Sequence, residues 1–347
     1  MKKNSIFVSA LNFSALFVFV LHFLGAQSSV AAMGVNAGEQ IRYLPVQDAG
    51  RIKPFDTFAK ETLELVYGKK TYKPKPEAKE TEAYWIVLTW MLSPESWVGR
   101  PLFEVKHHEI LQKLNLPIDK KYFTGEELFS SKNFENLRQE LQNMRETKEK
   151  LTPYFQAIER IENQLFIFQE MASGGLLRIY PTPDKDAWTS VADLPEDVRP
   201  AFIEISRNVA QHLSLKTDAA ASAEVVKQAA EKLDAAVLAF EDLARKSAPI
   251  KYQNSEKVKS EVLYNDFHPF RWAYVAYFMA SLILLFIWIR NLNSGMAFAW
   301  IFIAIGFVLH IFGFAFRIYL AERPPVSNMY ETVVWASWGA VLFSIIL

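Results

Sequence analysis

The sequence contains no cysteine. That single absence excludes a disulfide framework, thiolate metal sites, a cysteine nucleophile, iron–sulfur clusters, a lipoprotein anchor and a CxxCH haem attachment. An excess of charge of either sign is also missing, since 38 basic side chains balance 38 acidic ones. There is accordingly no basic face to displace counterions from nucleic-acid phosphates. Glycine (13) and proline (16) are too few among 347 residues for a collagen-like or low-complexity chain. No glycine-rich phosphate loop, Ser/His/Asp arrangement or carboxylate pair stands out by spacing.

The 51% hydrophobic content is unevenly spread, with charge absent from long stretches at both ends and crowded between them. Lys2 and Lys3 precede an uncharged run whose most apolar part is Ala15 to Leu24, the length of a signal h-region. Val30-Ala31-Ala32 then offers a small-x-small cleavage pattern, so residues 1–32 are expected to be a signal peptide or an uncleaved signal anchor. Either form exports the charged middle of the chain. Residues 33–268 hold most of the charge and are expected to form a periplasmic helical domain with minor β structure.

Within that domain Gln40 to Val46 reads as a strand and Gln47 to Gly50 as a turn, followed by a helix to Tyr67 capped by Asp56. A helix over Glu82 to Leu92 carries Trp85 and Trp90 as core residues. Apolar residues at three- and four-residue intervals predict a helix over Phe134 to Met171, interrupted at Pro153, and another over Ala219 to Lys246. These two are expected to pair antiparallel. A turn and short strand lie in Ser173 to Pro181, and the stretch through Pro195 carries the next helix cap. His107-His108-Glu109 is read as a solvated patch, because consecutive residues point apart and rarely converge on one ion, and no metal site is assigned.

Residues 269–347 are expected to be a transmembrane region with spans at about 270–290, 296–320 and 331–347, each an uncharged or nearly uncharged run. Export of the middle domain fixes the direction. The first span runs inward, Asn291 to Gly295 turns in the cytoplasm, and Glu322 to Glu331 forms an outer loop. Arg271, Arg317 and Arg323 then fall outside and Arg290 inside, against the usual bias. The last run stops at Leu347 without the polar residues that normally close a span, so the chain is expected to be the front portion of a longer protein.

His310 sits near the middle of the second span, where an ionisable side chain is costly and marks a site. Arg317 is seven residues on, about 10.5 Å along the same face. Gly306 and Gly313 lie beside that face and would admit a neighbouring helix or a flat ligand. Two arrangements satisfy this spacing. In one, His310 hydrogen-bonds another helix and Arg317 snorkels to headgroups; in the other, both line a cofactor passage. Arg323-Pro324-Pro325-Val326-Ser327-Asn328-Met329-Tyr330-Glu331 comes next, its prolines fixing an extended loop before Trp335 and Trp338 of the third span.

The stretch from His310 to Val341, HIFGFAFRIYLAERPPVSNMYETVVWASWGAV, resembles the early transmembrane part of the CcsA/ResC family of System II cytochrome c assembly proteins. YLPVQDAGRIKPFDTFAKET and EVLYNDFHPFRWAY resemble the periplasmic extension of large or fused members. The resemblance implies haem transport or presentation, with haem held non-covalently, for covalent attachment to apocytochrome c. It also implies a CcsB/ResB-type partner and a multi-pass location in the bacterial inner membrane. His310, Arg317, Arg323, Asn328 and Glu331 are the expected site residues, facing a haem passage or forming a partner-facing outer loop, with His310 taken from its place in the span and not matched to a haem ligand of the family. The family's Trp-rich motif and haem-ligating histidines have no counterpart before Leu347, so no catalytic residue is assigned. A non-catalytic membrane-anchored scaffold, or an inactive fragment of such a protein, is the alternative.

Overall fold

The computed structural model describes residues 36–347 other than 76, 130–131, 148–149, 183–185, 250–251, 253–254, 293, 323, 325 and 327–328. The proposed signal segment, residues 1–32, lies outside the described residues. The described chain is mostly helical with short strands and forms two units, residues 36–258 and 259–347.

The first unit begins with a 3-10 turn, Gln40–Tyr43, and a hairpin of β1 (Pro45–Asp48) and β2 (Arg51–Pro54). Ala49 and Gly50 close the hairpin with φ of 48° and 78°, the left-handed pair that matches strand twist in a two-residue turn. The expected strand over Gln40 to Val46 is thus displaced toward the turn, and a second strand succeeds it. Helix α1 (Phe55–Tyr67) starts directly from β2, and its N-cap is Pro54, not Asp56. Asp56 is fully buried inside the first turn. It accepts from Arg42 Nε at 3.2 Å and Lys60 Nζ at 2.7 Å, so two cations compensate the carboxylate that was expected to cap.

β3 (Thr71–Tyr72) and β4 (Thr81–Glu82) lead into α2 (Ala83–Leu92), which is buried nearly all round. Trp85 and Trp90 are core residues as expected. Trp90 meets Trp97 and Phe168 edge-on, at 6.3 and 5.5 Å, the packing favoured by ring quadrupoles. β5 (Phe103–Glu104) pairs with β6 (Tyr122–Phe123) around α3 (His108–Lys113). After α4 (Gly125–Phe129), the predicted Phe134 to Met171 helix appears as two, α5 (Lys132–Glu146) and α6 (Pro153–Ser173), with Pro153 in the opening turn of the second.

β7 (Arg178–Tyr180) pairs with β8 (Thr189–Ser190), and α7 (Arg199–Thr217) and α8 (Ala223–Ser247) come after them. The predicted helix pairing is corrected here. α8 packs on α7, to which a five-residue connection joins it, while α6 packs on α1, α2 and α5. Sequential helices on a short loop are the cheaper neighbours.

α9 (Ser255–Phe267) ends at His268, whose φ of 50° breaks the helix before Pro269 opens α10 (Pro269–Arg290). α11 (Met296–Ala321) and α12 (Met329–Ile346) complete the second unit. Among the described residues three helical stretches, Glu256–Arg290, Met296–Ala321 and Met329–Ile346, are long and apolar enough to cross a membrane. Asn291 takes the left-handed conformation that ends α10, as asparagine readily does.

Candidate functional site

Helices approach closely where one of them lacks side chains. Gly306 and Gly313 of α11 form such a face, and α10 fills it with Tyr277 and Phe270. A Cβ at Gly306 would lie 2.7 Å from the Tyr277 ring, and one at Gly313 2.7 Å from the Phe270 ring. Of the two partners open to this face in the sequence, a helix occupies it. His310 lies between the glycines and is 5% exposed. Its ring stacks on Phe314, with centroids 5.2 Å apart at 18°, and meets Phe270 edge-on at 5.5 Å. Nδ1 faces the Tyr277 hydroxyl at 3.5 Å, the outer limit of a hydrogen bond. Nε2 is buried without a hydrogen bond of normal geometry, its polar neighbour being the Val334 backbone.

The aromatic wall continues into α12. Phe314 meets Trp335 at 5.4 Å, and Phe307 stacks on Trp338 at 6.0 Å and 12°. Trp338 Nε1 is a second buried nitrogen without a partner.

Arg317 donates from Nε to Glu331 Oε1 at 3.0 Å. Glu331 is 2% exposed in the first turn of α12, where the helix dipole favours its charge, and the Arg317 side chain is 34% exposed. The Tyr264 hydroxyl adjoins the same guanidinium, and its ring stacks on Phe316 at 5.7 Å and 7°. The structure therefore brings Arg317 and Glu331 together and places His310 in a separate aromatic enclosure along the same helix. Arg323 and Asn328 lie outside the described residues.

Sequence reasoning missed Phe270, Tyr277 and Tyr264. The signal was available for the first two. Phe270 and Tyr277 are seven residues apart, as are Gly306 and Gly313, and the turn at Asn291 to Gly295 sets the two pairs opposite in antiparallel helices.

In the first unit His107 is half-buried and meets Tyr154 edge-on at 5.7 Å, whereas His108 and Glu109 are exposed. The three do not act as one group, and His107 departs from the expected solvated patch.

These features define a protein with membrane-length helices, an aromatic enclosure around a histidine, and a charged helical domain preceding them. No protein-family model matches the chain. It is 24% identical over 315 residues to Protein NrfI of Wolinella succinogenes, an alignment that takes in 85% of this chain and 32% of that protein. The chain thus spans about a third of the length of the relative it matches.

Proposed function

We propose that this chain is a multi-pass membrane component of cytochrome c biogenesis. It takes part in transporting or presenting haem for covalent attachment to apocytochrome c, alongside a CcsB/ResB-type membrane partner. In this reading it lies in the bacterial inner membrane, with residues 33–268 on the periplasmic side. The similarity to Protein NrfI along most of the chain supports the class. The observation that carries the reading is the Arg317 to Glu331 contact. It ties the arginine near the end of α11 to the glutamate that closes the Pro-x-x-Asn-x-Tyr-Glu segment, the two most characteristic parts of the family resemblance.

Haem is the cargo, and each residue has a role set by its chemistry. His310 offers an imidazole held only by the marginal Tyr277 contact and the Val334 backbone, within rings that suit a porphyrin face. Arg317 commits Nε to Glu331 and meets the Tyr264 hydroxyl, and its remaining N–H groups with Arg323 are suited to propionate carboxylates. Asn328 and Glu331 hold the loop. Glu331, itself buried, holds Arg317 toward the loop through this contact.

A scaffold reading has one observation in its favour: the glycine face of α11 is already filled by Phe270 and Tyr277. Absorption spectra of the full chain, purified in detergent from haem-replete cells, separate the two. Haem handling predicts a Soret band that falls several-fold in His310→Ala and in the Arg317→Ala, Arg323→Ala double variant. A scaffold predicts the same small haem content in all three proteins.

A further inference from the structure

Glu104 is a buried carboxylate, its side chain 1% exposed, and three cations converge on it. Lys106 Nζ and Arg160 Nη2 share Oε2 at 2.8 and 3.2 Å, and Lys121 Nζ takes Oε1 at 3.0 Å. Burial alone would raise the pKa of Glu104, but the lysine hydrogen bonds and charges outweigh it and hold the group below the usual carboxylate range. It is therefore ionised at neutral pH, and the cluster keeps two surplus positive charges. Among the described residues the ion pairs of Lys106, Lys121 and Arg160 all go to Glu104.

Glu104 is also fixed in place. Gly68, with φ of 76°, lies over the carboxylate so closely that a Cβ there would be 2.5 Å from Oε2. The surplus cations thus share a rigid anchor. Beside it lies a cavity of about 180 Å³ lined by Glu104, Lys106, His107, Ala157, Arg160 and Ile161. The His107 ring borders this cavity, with its Nδ1 closed off from solvent. One carboxylate needs one cation. Two cations gathered on one of its oxygens beside this cavity form a donor set with charge left for a second anion.

We propose that this cavity is an oxyanion site that takes a phosphate or a carboxylate group, with Arg160 presenting its planar fork and Lys106 a point charge. The site lies within the first unit and is independent of the haem proposal. Arg160 matters most, because a fork matches two oxygens where an ammonium matches one.

Equilibrium dialysis of the full chain in detergent against labelled inorganic phosphate, at ionic strength fixed with chloride, tests this. Saturable binding of one phosphate per chain is expected, weakened about tenfold or more in Lys106→Gln, Arg160→Gln, since charge-assisted bonds are lost. Lys106→Gln alone, at a largely exposed position, should give a smaller loss and serves if the double variant misfolds. Lys79→Gln, Lys232→Gln removes equal charge from exposed positions elsewhere and should leave binding unchanged. Displacement of phosphate by succinate at lower concentration would identify a carboxylate as the preferred group, and failure to displace it a phosphate. Unsaturable binding, a double variant that binds like the parent, or equal loss in the remote-charge variant would overturn the proposal.

Discussion

At the scale of single residues, the packing of the second unit turns on what stands opposite two glycines. Phe270 and Tyr277 reach the α11 backbone only because Gly313 and Gly306 have no Cβ. A Gly313→Leu substitution is expected to overpack this contact and lower stability by about 1–3 kcal/mol. Adding Phe270→Ala should recover part of the loss, because the space the ring leaves accepts the new side chain. Thermal unfolding in detergent of the two single variants and the pair completes a double-mutant cycle, and additive losses would refute the packing. His310 and the glycine face were legible in the sequence because a polar residue and two small ones at helical spacing stand out in an apolar run. The rings that fill the face were not, because they belong to the preceding helix and are visible only once the two are set antiparallel. Arg317 and Glu331 were each singled out, but their contact depends on the loop path between them, which spacing does not encode.

At the scale of elements, helix extents were easier to read than helix partners. The three membrane-length helices, Pro269–Arg290, Met296–Ala321 and Met329–Ile346, fall close to their uncharged runs, since an apolar stretch and a helix share the same boundaries there. Pro153 separates α5 from α6 because a proline fits an opening turn and breaks an interior. The expected pairing of the long helices failed because amphipathic spacing gives a helix a buried face without naming what covers it. α7, whose apolar residues are mixed with His212 and Asn208, was the true neighbour of α8. Asp56 shows the same limit at a helix start. An acidic residue following a proline reads as a cap, yet here Arg42, Asp56 and Lys60 form a buried charged cluster that ties the 3-10 turn to α1. Asp56→Ala removes the carboxylate that Arg42 and Lys60 share, while Arg42 keeps its ion pair with Glu39, and is expected to cost about 1–3 kcal/mol. Chemical unfolding of the full chain measures this, and a loss below about 1 kcal/mol would show that the cluster does not stabilise the fold.

At the scale of the whole molecule, a charge-rich helical unit and an apolar helical unit succeed one another in one chain, each with its own packing. The first is built around aromatic residues of α2 and the short hairpins, and it holds a buried carboxylate with surplus cations. The second exposes large apolar side chains along all three helices, as expected where lipid or further helices complete the surroundings. The proposed role in haem delivery rests on the α11 to α12 segment. The covalently bound haem of c-type cytochromes, read by in-gel peroxidase staining of membranes from the native host, tests that role most directly. Cells lacking this chain should lose the stained bands and regain them with the parent sequence but only weakly with His310→Ala or with Arg317→Ala, Arg323→Ala. Unchanged bands in the absence of the chain would contradict a role in haem delivery.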